Sequence, residues 1–166
     1  MRNKKTLFIT QAAMIAALYV VLTYLSNAFG LASGNIQIRL SEALTILPFF
    51  TFAAVPGLYI GCLISNLLIG SAIIDIVIGS LATLLGAIGS YYLRKHKYLC
   101  MLPPIISNTI IVPFVLRYAY GMKLPIPVMM LTVGVGEGIS VFVFGGILIN
   151  VLQKYRSQIF QRDTFK

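Results

Sequence analysis

Tryptophan is absent from this chain, and one histidine, two cysteines and four acidic residues are all it has of those types in 166 positions. Each scarcity removes a class of protein. Two cysteines, placed as these are, suggest no disulfide framework. Cys62 falls inside an apolar stretch and Cys100 beside a basic loop, so both are expected as free thiols. A lone His96 within "LRKHK" leaves no Cys/His set to hold a metal. No GxxxxGK(S/T) loop is present to cradle nucleotide phosphates, and no GxSxG turn to raise a nucleophile. No catalytic residue, metal or cofactor is therefore assigned. Charged residues are also scarce, at 10%, where soluble domains carry roughly a quarter.

What is there is apolar. Hydrophobic residues make up 58% of the chain and its mean hydropathy is +0.91. Stretches approaching the ~20 residues that cross a bilayer recur along it. The class is an all-α integral membrane protein. A net charge of +9 raises the question of nucleic acid. The cations stand in short clusters at the ends of apolar runs, as in "MRNKK", "LRKHK" and "QKYRS", with no basic face interleaved with stacking aromatics. That distribution suits membrane orientation and argues against nucleic acid as a partner. The N-terminus has the outline of a secretory signal, but its apolar stretch, 7–25, is longer than a signal core. It reads as a retained first helix.

Six spans are predicted, at about 6–26, 42–53, 56–70, 72–94, 103–119 and 128–153, in one membrane domain over 1–166. Residues 27–41 form a loop between the first two, with Ser41 placed to cap the second helix. One face of the membrane then collects Arg2, Lys4, Lys5, Arg94, Lys95, Lys97, Lys154, Arg156, Arg162 and Lys166, and the other Arg39, Arg117 and Lys123. By the positive-inside bias both termini are cytoplasmic and the first loop is external.

This orientation makes the acids informative. Glu42, Asp75 and Glu137 fall in the external half of the membrane, and only Asp163 lies in the tail. A carboxylate facing lipid costs roughly 2.5–3.5 kcal/mol even on lenient insertion scales. Three at one depth predict one pocket open to the outside. Two of them have a plainer reading: Glu42 and Asp75 stand near helix starts, where the dipole favours an acid, and Arg39 can simply pair with Glu42. Glu137 has no such partner nearby and sits among Gly134, Gly136 and Gly138, which admit close approach of a backbone or a flat ligand. Asn66 lies at the pocket's depth, whereas Asn108 lies nearer the cytoplasmic end. Small residues four apart suit helix packing: Gly57 with Gly61, Gly134 with Gly138, and Ala82 with Gly86 and Ser90. Ala12 with Ala16, and Ala13 with Ala17, serve equally as bundle packing or as a docking stripe.

"IRLSEALTILPFF", "QAAMIAAL", "DIVIGSLATLL", "PPIISN" and "GVGEG" together resemble the queuosine-precursor transporter (QueT) family over about 11–148. Its members are substrate-binding S components of energy-coupling factor (ECF) importers. The resemblance implies a six-helix bundle of the ECF S-component type in a bacterial cell membrane. It implies a transmembrane coupling protein and two cytoplasmic ATPases as partners, which accounts for the missing phosphate loop. Ala12, Ala16, Ala13 and Ala17 would meet the coupling protein, and the first loop would close over the ligand. That ligand would be a deazapurine such as the aminomethyl-deazaguanine base. A guanine-like edge offers two donors that one carboxylate can accept, and an aminomethyl cation seeks a second acid. Glu42, Asp75 and Glu137 share these two tasks in an order left open, with Gln37, Arg39, Asn66, Asn108 and Tyr59 as further polar or stacking contacts. The rival readings are a binding subunit for another purine or vitamin, a stand-alone proton-coupled carrier, and a carboxylate–metal membrane enzyme.

Overall fold

The computed structural model describes residues 4–31 and 37–155. Among them every regular element is helical. The first helix, α1 (Lys4–Ala28), has 25 residues, and at 1.5 Å each it reaches about 37 Å, enough for the ~30 Å hydrocarbon core. It closes where Leu31 N–H donates to the Ser26 carbonyl at 2.9 Å and Gly30 turns left-handed at φ 69°. The remaining long helices are α2 (Ala54–Leu68), α3 (Asp75–Tyr92), α4 (Leu99–Tyr118) and α5 (Ile126–Lys154). Both α3 and α5 contain a π-helical turn, at Asp75–Gly79 and at Ile139–Gly145. By length and apolarity α1, α3, α4 and α5 can each cross a membrane, and α2 is a shorter apolar helix.

The predicted span at 42–53 takes a different form. It is a 3-10 helix, Leu40–Phe49, in which every residue from Ser41 to Pro48 is buried. Pro48 has no N–H to give and pushes the residue before it away from α geometry, which favours a tight, short element. Arg39 occupies the N-cap position with extended backbone and provides no side-chain cap. Ser41, the cap predicted from sequence, is instead internal, and its buried hydroxyl has no partner among the described residues. Residues 32–36 of the first loop, and the terminal Arg2, Arg156, Arg162, Asp163 and Lys166, lie outside the described residues.

Small residues set the spacing between helices. A Cβ on Gly57 would lie 2.7 Å from the Ala12 carbonyl oxygen, and one on Gly61 would lie 2.8 Å from Tyr19 Cβ and 3.0 Å from Ala16 Cα. Backbones this close maximise dispersion contact where lipid supplies no hydrophobic drive between helices. The alanine stripe is thereby divided: Ala16 is buried and Ala12 half-buried against α2, while Ala13 and Ala17 face outward. Gly86 and Gly89 meet Pro104 and Pro103 in the same way, joining α3 to α4. The 3-10 helix plugs the middle of the bundle. Ile46 packs there with Tyr19, Leu58, Val141 and Ile149, and the Gly145 position of α5 lies beside Ile46 and Ala43. A second core, of Val112, Leu116, Met129 and Val133, joins α4 to α5 nearer the loop end. The outer faces are apolar and exposed, as at Val21, Leu67, Ile73, Leu85 and Leu131, which suits a lipid-facing surface. The chain is a multi-pass membrane protein.

Candidate functional site

A cavity of about 310 Å³ opens at the end of the bundle that carries the first loop. Its walls are the end of α1, the returning first loop, the turn between α2 and α3, and α4 with the connection that follows it. Gly70, at φ 73°, lets the α2–α3 turn close, with Ser71 N–H donating to the Asn66 carbonyl at 2.9 Å. That turn delivers Asp75 to the cavity as the first residue of α3. On the opposite side Ser26 anchors the loop's return, because its hydroxyl accepts the Leu40 N–H at 2.8 Å while donating to the Leu22 carbonyl at 2.9 Å. Gln37 and Arg39 consequently line the cavity from the loop. Ile69, Val112, Leu116 and Met122 supply apolar wall, and Asp75 and Arg39 bring one charge of each sign. Burial disfavours the Arg39 cation, but Asp75 above all outweighs that penalty and holds the guanidinium above its ordinary value.

Asp75 is itself buried, and its Oδ2 accepts the Tyr120 hydroxyl at 2.8 Å. Asn66 stands behind it, its amide donating to the Asp75 carbonyl at 3.5 Å and to Cys62 Sγ at 3.7 Å. Thr83 Oγ1 donates to the same sulfur at 3.4 Å. These contacts tie the base of α3 to α2.

Glu42 and Glu137 form a second polar cluster in the bundle interior. Glu42, 1% exposed, accepts a short hydrogen bond from the Tyr19 hydroxyl on Oε1 and one from Asn108 Nδ2 at 3.4 Å on Oε2. Glu137, 7% exposed, feels the fields of Glu42 and Arg39 and has Asn108 beside it. Its Oε2 is buried and has no hydrogen-bond partner among the described residues. A buried, unpaired acceptor is costly in a low-dielectric interior. Gly136, its neighbour, abuts the first loop: a Cβ there would lie 2.2 Å from the Gln37 carbonyl oxygen. The glycine in "GVGEG" thus admits a backbone, and that backbone belongs to a residue lining the cavity.

The single pocket predicted for three acids is therefore resolved into two adjoining groups. Asp75 lines the cavity with Gln37 and Arg39, while Glu42 and Glu137 gather around Asn108. Arg39 is not the direct partner of Glu42, whose oxygens are engaged by Tyr19 and Asn108. Asn108, placed too deep by position along its helix, reaches Glu42 because the 3-10 plug carries that acid inward. Tyr59 is half-buried on α2, about two helical turns from Asn66, and belongs neither to the cavity lining nor to the described polar contacts of the cluster. Tyr19 and Tyr120 were not among the residues singled out in the sequence. Tyr19 sits three residues after Ala16 in the stripe that packs on α2, a weak signal. Tyr120 lies in a connecting segment with nothing local to mark it.

The sequence model of QueT transporters matches residues 9–154. The queuosine precursor transporter QueT of Lactococcus lactis subsp. cremoris (strain MG1363) is 39% identical over 84 residues, which cover 51% of this chain and 49% of that protein. The match thus spans about half the length of that relative. No solved structure matches the chain.

Proposed function

Since the chain belongs to the QueT transporter family, we propose that it is the substrate-binding subunit of an ECF-type importer. It captures a queuosine precursor, a 7-deazaguanine base such as the aminomethyl form, from outside the cell. The observation that carries this reading is the cavity of about 310 Å³ with Asp75 and Arg39 in its wall and apolar residues beside them. That volume is at the small end of the ~300–1,000 Å³ typical of ligand pockets, which suits one flat bicyclic base. Arg39 meets the ring carbonyl, and Asp75 takes the aminomethyl cation through a charge-assisted bond. Glu137, with one oxygen unpartnered one residue from the Gly136–Gln37 contact, accepts the paired N–H groups of the guanine-like edge. Asn108 stands beside Glu137 and steadies it, while Glu42 places a second acid close by. The transmembrane coupling protein and the two cytoplasmic ATPases are proposed as partners on the same family grounds, with both chain termini on the cytoplasmic side. The exposed Ala13 and Ala17 are the part of the stripe left for the coupling protein.

Titration calorimetry of the purified protein with the aminomethyl base tests the substrate. Binding at micromolar concentration or below is expected for the native chain, with at least about tenfold loss in Glu137→Gln. Absence of binding to the native chain sinks the substrate assignment. Uptake by cells lacking the ATPase partners separates an ECF subunit, which then transports nothing, from a carrier driven by a proton gradient.

A further inference from the structure

Tyr120 is held more firmly than its place in a connecting segment would require. Its hydroxyl donates to Asp75 Oδ2 at 2.8 Å and accepts the Ala72 N–H at 3.3 Å. A backbone N–H can only donate, so the phenol is left to direct its own proton at the carboxylate. Burial pushes the Tyr120 phenol up, with Asp75 adding to the effect, so the group stays a donor throughout the neutral range. The other carboxylate oxygen, Oδ1, lies over the Gly79 position one turn on in the same helix, where an added Cβ would come within 2.6 Å of it. Asp75 is thus held through Oδ2 by a group from a distant connecting segment, and that bond sets its orientation where it meets the cavity. Arg39 lines the same space and repels any ligand cation that is not seated at Asp75.

We infer that Tyr120 is a positioning residue that aims Asp75 at a single cationic substituent, and so sets the preference for a charged ligand over an uncharged one of the same shape. This rests on the deazapurine reading of the cavity. Tyr120 itself has no charge to offer and is 46% exposed, so Tyr120→Phe keeps the ring and loses only the hydroxyl. Without it the carboxylate can rotate, and the cation loses its preorganised partner. A ligand lacking the cation never used that orientation and is unaffected.

The experiment compares two bases with one ring system, the aminomethyl-deazaguanine and the corresponding uncharged nitrile, by calorimetry on the full chain in detergent. The native protein is expected to prefer the amine. Tyr120→Phe should weaken the amine by about tenfold and the nitrile by less than about twofold, the scale of one charge-assisted contact. Asp75→Asn should abolish the preference, and adding Tyr120→Phe to it should change nothing further, because the two act as one unit. Equal weakening of both bases in Tyr120→Phe, an unchanged ratio, or additive losses in the double variant would overturn the inference. If the native chain binds neither base, the substrate reading falls and takes this one with it. If it binds both and the ratio stays put in Tyr120→Phe, only the role of Tyr120 is lost.

Discussion

The two glycines flanking Glu137 make a contrast that tests how the first loop is seated. At Gly136 an added Cβ would lie 2.2 Å from the Gln37 carbonyl oxygen, 3.0 Å from its carbonyl carbon and 3.4 Å from its nitrogen. These are backbone atoms and cannot swing aside as a side-chain tip would. To reach an ordinary contact, 3.4 Å or more, the Gln37 carbonyl must retreat by about 1.2 Å. Gln37 and Arg39 both line the cavity, so the retreat also widens the site. Overpacking of this kind costs about 1–3 kcal/mol. Gly136→Ala should therefore lose about that much stability and also weaken ligand binding. At Gly138 an added Cβ meets nothing within 4 Å. There alanine gains helix propensity, worth up to about 1 kcal/mol over glycine, and Gly138→Ala should be neutral or slightly stabilising. Thermal unfolding of both variants in the same detergent, with calorimetric affinities alongside, reads the difference. Two outcomes would refute the reasoning: Gly136→Ala as stable as the native chain, or Gly138→Ala as damaging as Gly136→Ala.

Two further variants probe the interior and the stripe. Tyr19→Phe removes the donor to Glu42 Oε1 inside the bundle and should cost about 1–3 kcal/mol of stability; an unchanged unfolding temperature would show that Glu42 does not depend on it. Ala16→Leu drives bulk into the Gly61 contact and should lose about 1–3 kcal/mol. Ala17→Leu, on the exposed side, should leave stability within about 0.5 kcal/mol of native and instead reduce co-purification with the proposed coupling protein. Equal effects of the two on stability would mean that the stripe is not divided as described.

Gly136 also shows why part of the site was legible in advance. A glycine beside a lone acid in an apolar helix points to close approach, and the approach is there, though by a loop backbone. Glu42, Asp75 and Glu137 were identifiable because carboxylates are rare in this chain and expensive in lipid. Their grouping was not, because position along a helix gives depth but not the direction in which a side chain points. Asn108 and Glu42 are 66 residues apart in sequence and meet only because the buried 3-10 helix turns Glu42 toward α4. Tyr120 and Asp75, 45 residues apart, meet across two connecting turns. The alanine stripe has the same limit: its spacing announces a packing face, but which edge of that face meets α2 depends on the rotation of α1 against Gly57 and Gly61.

By itself, then, the amino-acid order determined the membrane class, the helical segments and the short set of polar residues able to do chemistry. The bilayer imposes its demand on each residue in turn: backbone groups must be satisfied within the segment, and charges must be few and inward. The tertiary structure alone decided that Ser41 to Pro48 form a buried plug rather than a spanning helix, that Asp75 stands in a cavity with Arg39 while Glu42 and Glu137 share Asn108, and that Tyr19 and Tyr120 hold two of the three acids. Those outcomes depend on how helices rotate and settle against one another, and that is fixed by close packing among residues far apart in the chain.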